Sequence, residues 1–262
     1  MDFGIRERVA LVCGASKGIG YATAEALARE GCSLAVCSRD ATAIGKAAAG
    51  FAALGVPVLS MVADLATTKG LSTVVRETTA RYGRVDILVA NTGGPPTGPA
   101  MGHDWSAWTA ASELLLRTAV ELTRAFVPGM RERKWGRVIS ITSKAVKEPV
   151  PALVLSNSLR AAVTGYLRTL ANEVGADGVT VNSVLPGFTA TERLEALADA
   201  ASHRTGATRD EVYAGWVAQT PMGRLGRADE LAATIAFLAS EQAGFITGQA
   251  ILVDGGKVNA LL

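Results

Sequence analysis

Three polar side chains, Ser143, Ser156 and Arg160, are spaced as a reaction centre would need them. Ser156 and Arg160 stand four residues apart in "PALVLSNSLRAAVTG" (151–165), and on a helix that spacing puts both on one face. Ser143 lies thirteen residues before Ser156, just past the strand-like run "GRVISIT". A hydroxyl both donates and accepts a hydrogen bond, and a guanidinium is a rigid fork of donors that keeps its charge. Together they could grip a carbonyl oxygen and steady negative charge developing on it. They are poorly equipped to deliver a proton. A serine hydroxyl is a far weaker acid than a phenol of pKa ~10, and arginine stays protonated to above ~12.

A proton donor could come instead from "TSKAVKEP", where Lys144 and Lys147 follow Ser143. Desolvation and a neighbouring Arg160 would lower a lysine pKa towards neutrality. Lys147 therefore joins Ser143, Ser156 and Arg160 as a candidate catalytic residue; the competing reading makes both lysines solvated loop residues. His103 and His203 are the only histidines and fall in irregular stretches that could reach a cleft.

Such groups need a scaffold, and the chain alternates short apolar runs with longer helix-like ones. "RVALVCG", "SLAVCSR", "PVLSMVADL", "VDILVAN", "GRVISIT", "VTVNSVLPG" and "QAILVDGG" are the strand candidates. Continuous apolar strands separated by helices predict an α/β fold, a Rossmann-type doubly wound parallel sheet of about seven strands flanked by helices. One helix is expected from about Trp105 to Arg133. Residues 1–262 read as a single domain, with a lid-like excursion at about 188–220 and a Gly/Pro-rich one at 91–103. Excursions after strand C-termini surround the ligand crevice in such sheets.

"CGASKGIG" (13–20) joins the first strand to the first helix. In that context Gly14 permits a tight turn, Gly18 lets backbone approach a pyrophosphate and Gly20 allows close helix packing, with Ser16, Lys17 and Ile19 in the same loop. After the second strand, "CSRD" puts Ser38 and Arg39 where an acidic residue would accept ribose hydroxyls. Arg39 can instead pair with a 2′-phosphate, and Lys17 adds a second charge, so NADP(H) is favoured over NAD(H). Arg39 could equally be a surface arginine satisfied by Asp40 or solvent.

The charge balance excludes other classes. Of 262 residues 49% are hydrophobic and the net charge is +2 with both signs interspersed, so no broad field attracts nucleic acid or an anionic membrane. The basic run "RERKWGR" (131–137) reads as a solvated helix end. No apolar segment approaches the ~20 residues needed to span a bilayer, and a cytoplasmic location is expected. Cys13, Cys32 and Cys37 lack metal-ligand spacing and suit apolar strands as reduced, inert residues; no metal site is expected.

From "CGASKGIG" through Asp64, "NTGG" (91–94), Ser143 and "PGFTAT" (186–191) to "VDGG", the chain resembles the short-chain dehydrogenase/reductase family. The resemblance covers essentially the whole chain, which reads as an atypical member resembling the family's 3-oxoacyl-carrier-protein reductases. It implies a nicotinamide cofactor and a homo-oligomer, a homotetramer or dimer. It also implies that Asp64 and Leu65 meet the adenine, Asn91 and Gly93 the centre of the cofactor, and Pro186, Gly187, Thr189 and Thr191 its nicotinamide end. Several positions depart from the family pattern: Cys13 replaces a usual threonine and Thr92 a usual alanine, while Ser156 and Arg160 occupy the frame of the family's catalytic Tyr and Lys. Leu115 aligns with its catalytic Asn.

Two functions follow. One is an NADP(H)-dependent carbonyl/alcohol oxidoreductase with an altered or weakened proton relay. The alternative is a catalytically silent cofactor-binding protein, acting as a sensor or as partner of an active homologous subunit. Phe188, Tyr213 and Trp216 suggest a small, partly apolar substrate or, equally, packing of the excursion. Of the surfaces that dock an acidic carrier in such reductases, Lys134 fits and Asp177 does not.

Overall fold

The computed structural model describes residues 2–261. Seven strands form one parallel sheet in the order β3-β2-β1-β4-β5-β6-β7: β1 (Val9–Cys13), β2 (Ser33–Ser38), β3 (Val58–Val62), β4 (Ile87–Ala90), β5 (Gly136–Ile141), β6 (Val179–Pro186) and β7 (Ala250–Val253). The order reverses between β1 and β4, which opens a crevice at their C-terminal ends. Asn91, the first residue after β4, pins that point by donating from Nδ2 to the Cys13 carbonyl at 3.2 Å.

Strand alternation builds two cores from each strand. Leu11 and Cys13 of β1 face one apolar layer, while Ala10 and Val12 face the other, as a period of two requires. The first layer is closed by α3 (Thr68–Tyr82), α4 (Trp105–Ser112), α5 (Thr118–Glu132) and α6 (Val154–Val174). The second is closed by α1 (Gly18–Arg29), α2 (Ala41–Ala52) and α9 (Ala228–Ala239). Cys13, Cys32 and Cys37 are free thiols wholly inside these layers.

The helix expected from Trp105 to Arg133 is instead two α-helices joined by a π-helical turn, Glu113–Arg117. The cause is local. Thr118 Oγ1 donates to the Leu65 carbonyl at 3.0 Å and also meets the Glu113 carbonyl at 3.3 Å, so a side chain replaces a backbone partner and the turn widens. The excursion after β6 contains two short helices, α7 (Glu192–Thr205) and α8 (Arg209–Ala218). A reciprocal Thr208–Glu211 capping box starts the second of them.

The run at 131–137 is not a basic patch. Arg131 and Lys134 both bond to Asp177, at 2.6 and 2.5 Å, Arg133 lies 3.4 Å from Asp86, and Arg137 is buried on the Ser240 and Gly136 carbonyls. Among the described residues no helix is long and apolar enough to cross a membrane.

Candidate active site

A cleft of about 690 Å³ follows the C-terminal ends of the central strands. One end is made largely of backbone. Gly14 and Gly18 hold φ of +61° and +58°, a left-handed geometry that glycine adopts without a steric cost. No side chain caps the N-terminus of α1 and its first turn carries no acid, so its N–H groups and dipole are available to a phosphate. Gly20 is a packing glycine outside the cleft wall; a Cβ there would overlap the Gly14 carbonyl oxygen. Ser16, Lys17, Ile19, Ser38, Arg39, Asp64 and Leu65 complete this end. The Asp40 carboxylate accepts the Ala43 N–H at 2.9 Å as the cap of α2, and Arg39 has no ion-pair partner among the described residues.

The other end is made of side chains. Asn91, Gly93, Ser143, Ser156, Arg160, Pro186, Gly187, Thr189 and Thr191 all line it. Ser143 accepts the Ala145 N–H at 3.1 Å, which fixes its oxygen and leaves its proton to donate. Ser156 and Arg160 project from α6 on one face, as their spacing predicts, and both are buried. Arg160 donates from Nε to Ser156 Oγ at 3.2 Å, from Nη1 to the Ile141 carbonyl at 3.0 Å and from Nη2 to the Gly93 carbonyl at 3.5 Å. Burial, and secondarily the nearby Arg193, push the Arg160 pKa down to about 10.

Lys147 is not part of this arrangement. It is exposed and does not line the cleft, because the 3-10 turn Lys144–Val146 directs it to solvent. Lys144 is buried, with Nζ 4.7 Å from the centroid of the Phe188 ring. Burial, then Lys257, hold its pKa below the ordinary lysine value, yet it too lies outside the cleft wall. His103 and His203 do not line the cleft either. Phe188 stacks on Trp216 at 5.0 Å and Tyr213 meets Trp216 edge-on at 5.5 Å, so these aromatics pack chiefly on one another. Leu115 sits buried in the π-helical turn, with no polar group to offer.

Arg193 lines the cleft and is absent from the sequence reading. Its place two residues after Thr191 was visible; its direction was not, since it depends on how α7 folds back. Leu153, Leu194 and Leu197 add apolar wall.

The residues at the backbone end fit a dinucleotide: two left-handed glycines, an uncapped helix start with no acid in its own first turn, and two cations without ion-pair partners among the described residues are a donor set for a diphosphate and a further phosphate, although the Glu192 carboxylate also stands against the glycine loop.

Comparison with known proteins agrees with this geometry. A family model described as Enoyl-(Acyl carrier protein) reductase matches residues 14–257. The short-chain reductase protein NovJ of Streptomyces niveus is 32% identical over 252 residues, covering 96% of this chain and 94% of its own. The 3-oxoacyl-(acyl-carrier-protein) reductase FabG of Haemophilus influenzae is 34% identical over 249 residues, covering 95% of this chain and 97% of its own. The crystal structure of L-sorbose reductase from Gluconobacter frateurii, complexed with NADPH and L-sorbose, superposes with a TM-score of 0.93 at 34% identity, covering 100% of both chains.

Proposed function

Because the chain belongs to the short-chain dehydrogenase/reductase family, we propose that it interconverts a carbonyl and an alcohol with NADP(H), using an altered proton relay. The observation that carries this reading is the Arg160 Nε–H donated to Ser156 Oγ at 3.2 Å, in the cleft that Ser143 also lines. When bound, the cofactor would supply or accept the hydride, and the proton that completes or leaves the alcohol would be exchanged with solvent water through the serine hydroxyls. Ser143 and Ser156 would hold the substrate oxygen with their hydroxyl protons. Arg160 polarises Ser156 from behind and stabilises negative charge in a water-poor setting, where such donors act most strongly. Loss of a dedicated acid removes a factor of ~10²–10⁴, so turnover should be slow rather than absent.

Preference for NADP(H) is supported by Arg39, which has no ion-pair partner among the described residues and lines the cleft with Lys17, and by the NADPH in the L-sorbose reductase complex. The substrate is a small molecule, with an apolar portion that Leu153, Leu194 and Leu197 would cover. We further propose a dimer or tetramer in a cytoplasmic setting, with a single domain and residues 188–220 as its substrate lid. Sedimentation at micromolar concentration should give a species of at least two chains, and a monomer would refute the assembly.

A second reading, a silent cofactor-binding protein, is favoured by one feature: two of the three Arg160 contacts go to backbone carbonyls, a structural use of the side chain. Absorbance of NADPH with a panel of reactive diketones, run beside a cofactor-binding titration, separates the two. Consumption of NADPH supports the enzyme, while binding without consumption supports the silent protein.

A further inference from the structure

Arg193 lines the cleft and makes no ion pair among the described residues, although Glu192 and Glu195 share its helical turn. It occupies the first turn of α7, where the helix dipole disfavours a cation. Its guanidinium makes one hydrogen bond, from Nη2 to the Pro95 carbonyl at 3.2 Å. No carboxylate pairs with it among the described residues. Partial desolvation holds its pKa below the usual arginine range although the residue as a whole is exposed, and its charge is the second cause, after burial, of the lowered Arg160 pKa. What singles it out is its place in the cleft beside a second arginine, with no carboxylate bonded to it.

The guanidinium lies against the loop after β4, where a Cβ on Gly94 would meet its mobile end. The direction of the side chain also matters. Thr191 and Glu192 rest against the glycine loop, with Thr191 Cγ2 3.4 Å and Glu192 Oε2 3.7 Å from where a Gly18 Cβ would stand. Arg193 turns the other way, to the loop after β4 that also receives Arg160 Nη2 through Gly93. It faces the catalytic end of the cleft, away from the phosphate cradle.

We propose that Arg193, with Arg160 behind it, is the binding site for a carboxylate on the substrate, so that the protein acts on oxo acids or hydroxy acids in preference to neutral ketones or alcohols. This rests on the reading of the cleft as a carbonyl/alcohol site. A planar guanidinium with unclaimed N–H groups matches a carboxylate in geometry and charge. The anion would offset the repulsion between the two arginines.

The test is equilibrium binding, so that it stands apart from turnover. The NADP⁺-saturated protein is titrated calorimetrically with short 2- and 3-hydroxy acids and with their methyl esters. At least one acid should bind about tenfold to a hundredfold more tightly than its ester, the range expected of a hydrogen bond to a charged group. Arg193→Gln should abolish that preference with the NADP⁺ affinity unchanged within about twofold, and Arg193→Lys should restore part of it. Equal binding of acids and esters, or no binding of any acid, overturns the proposal. So does a loss of NADP⁺ affinity in Arg193→Gln without an acid preference in the wild type, which would give the arginine to the cofactor. An acid preference without NADPH consumption in the diketone assay keeps the anion site and refutes the enzyme reading alone.

Discussion

The two ends of the cleft are built on different principles. At the glycine loop the binding surface is backbone: φ values of +61° and +58° at Gly14 and Gly18, an uncapped helix start, and Asn91 tying β4 to β1. Any change of residue there disturbs the chain path itself. At the other end the surface is side chains on a rigid helix, and α6 presents residues 156 and 160 to the cleft whatever their identity. On the proposed reading, a serine and an arginine stand in the places of a tyrosine and a lysine with the helix frame unaltered. Arg160 uses its fork to bond Ile141 and Gly93, contacts that a single ammonium could not make in the same geometry. On the proposed reading, the difference teaches that a backbone-built cofactor cradle tolerates less change than a relay carried on side chains.

The largest effect should come from Ser143→Ala. With Ser156 short and backed only by Arg160, Ser143 is the better-placed donor to the substrate oxygen, and kcat/KM should fall by ~10²–10³, as for loss of one donor to a developing oxyanion. Stopped-flow NADPH oxidation would measure it, with cofactor affinity unchanged as the control.

Next in size is the double change Ser156→Tyr with Arg160→Lys, which should raise reductase kcat by about tenfold. The gain should stay below the ~10²–10⁴ of a complete acid, because Leu115 offers no polar group in the π-helical turn and the cleft must make space for a phenol. A fall in activity in a folded protein would show that this end has been rebuilt around the serine.

At the opposite end, Arg39→Ala should reduce the ratio of NADPH to NADH affinity by about tenfold, the lower range for a hydrogen bond to a charged group. A fluorescence titration with both cofactors checks it. An unchanged ratio would make Arg39 a solvated surface residue.

Legibility in the sequence follows the same division. The strands were readable because continuous apolar runs bounded by turns have few alternatives in a sheet covered on both faces. The glycine loop was readable because its chemistry depends on the absence of a side chain at fixed spacing. The shared face of Ser156 and Arg160 was readable because helical geometry dictates it. The π-helical turn was not, since it depends on Thr118 meeting Leu65, 53 residues distant in the chain. Lys147 misled because three residues of 3-10 turn decide whether it faces the cleft or solvent. Arg193 escaped notice because its direction depends on contact between α7 and the loop after β4, a long-range meeting that no local pattern encodes.

The central claim is that this altered site still passes a hydride between the nicotinamide and a carbonyl carbon. The direct measurement is incubation of the protein with NADPH deuterated at the transferable C4 position and a reactive diketone or short oxo acid, followed by mass spectrometry of the alcohol. The account predicts one deuterium on the new carbinol carbon, formed slowly by the wild type and faster by the Ser156→Tyr, Arg160→Lys protein. Saturating cofactor binding with no deuterium in any product, from either protein, would contradict it.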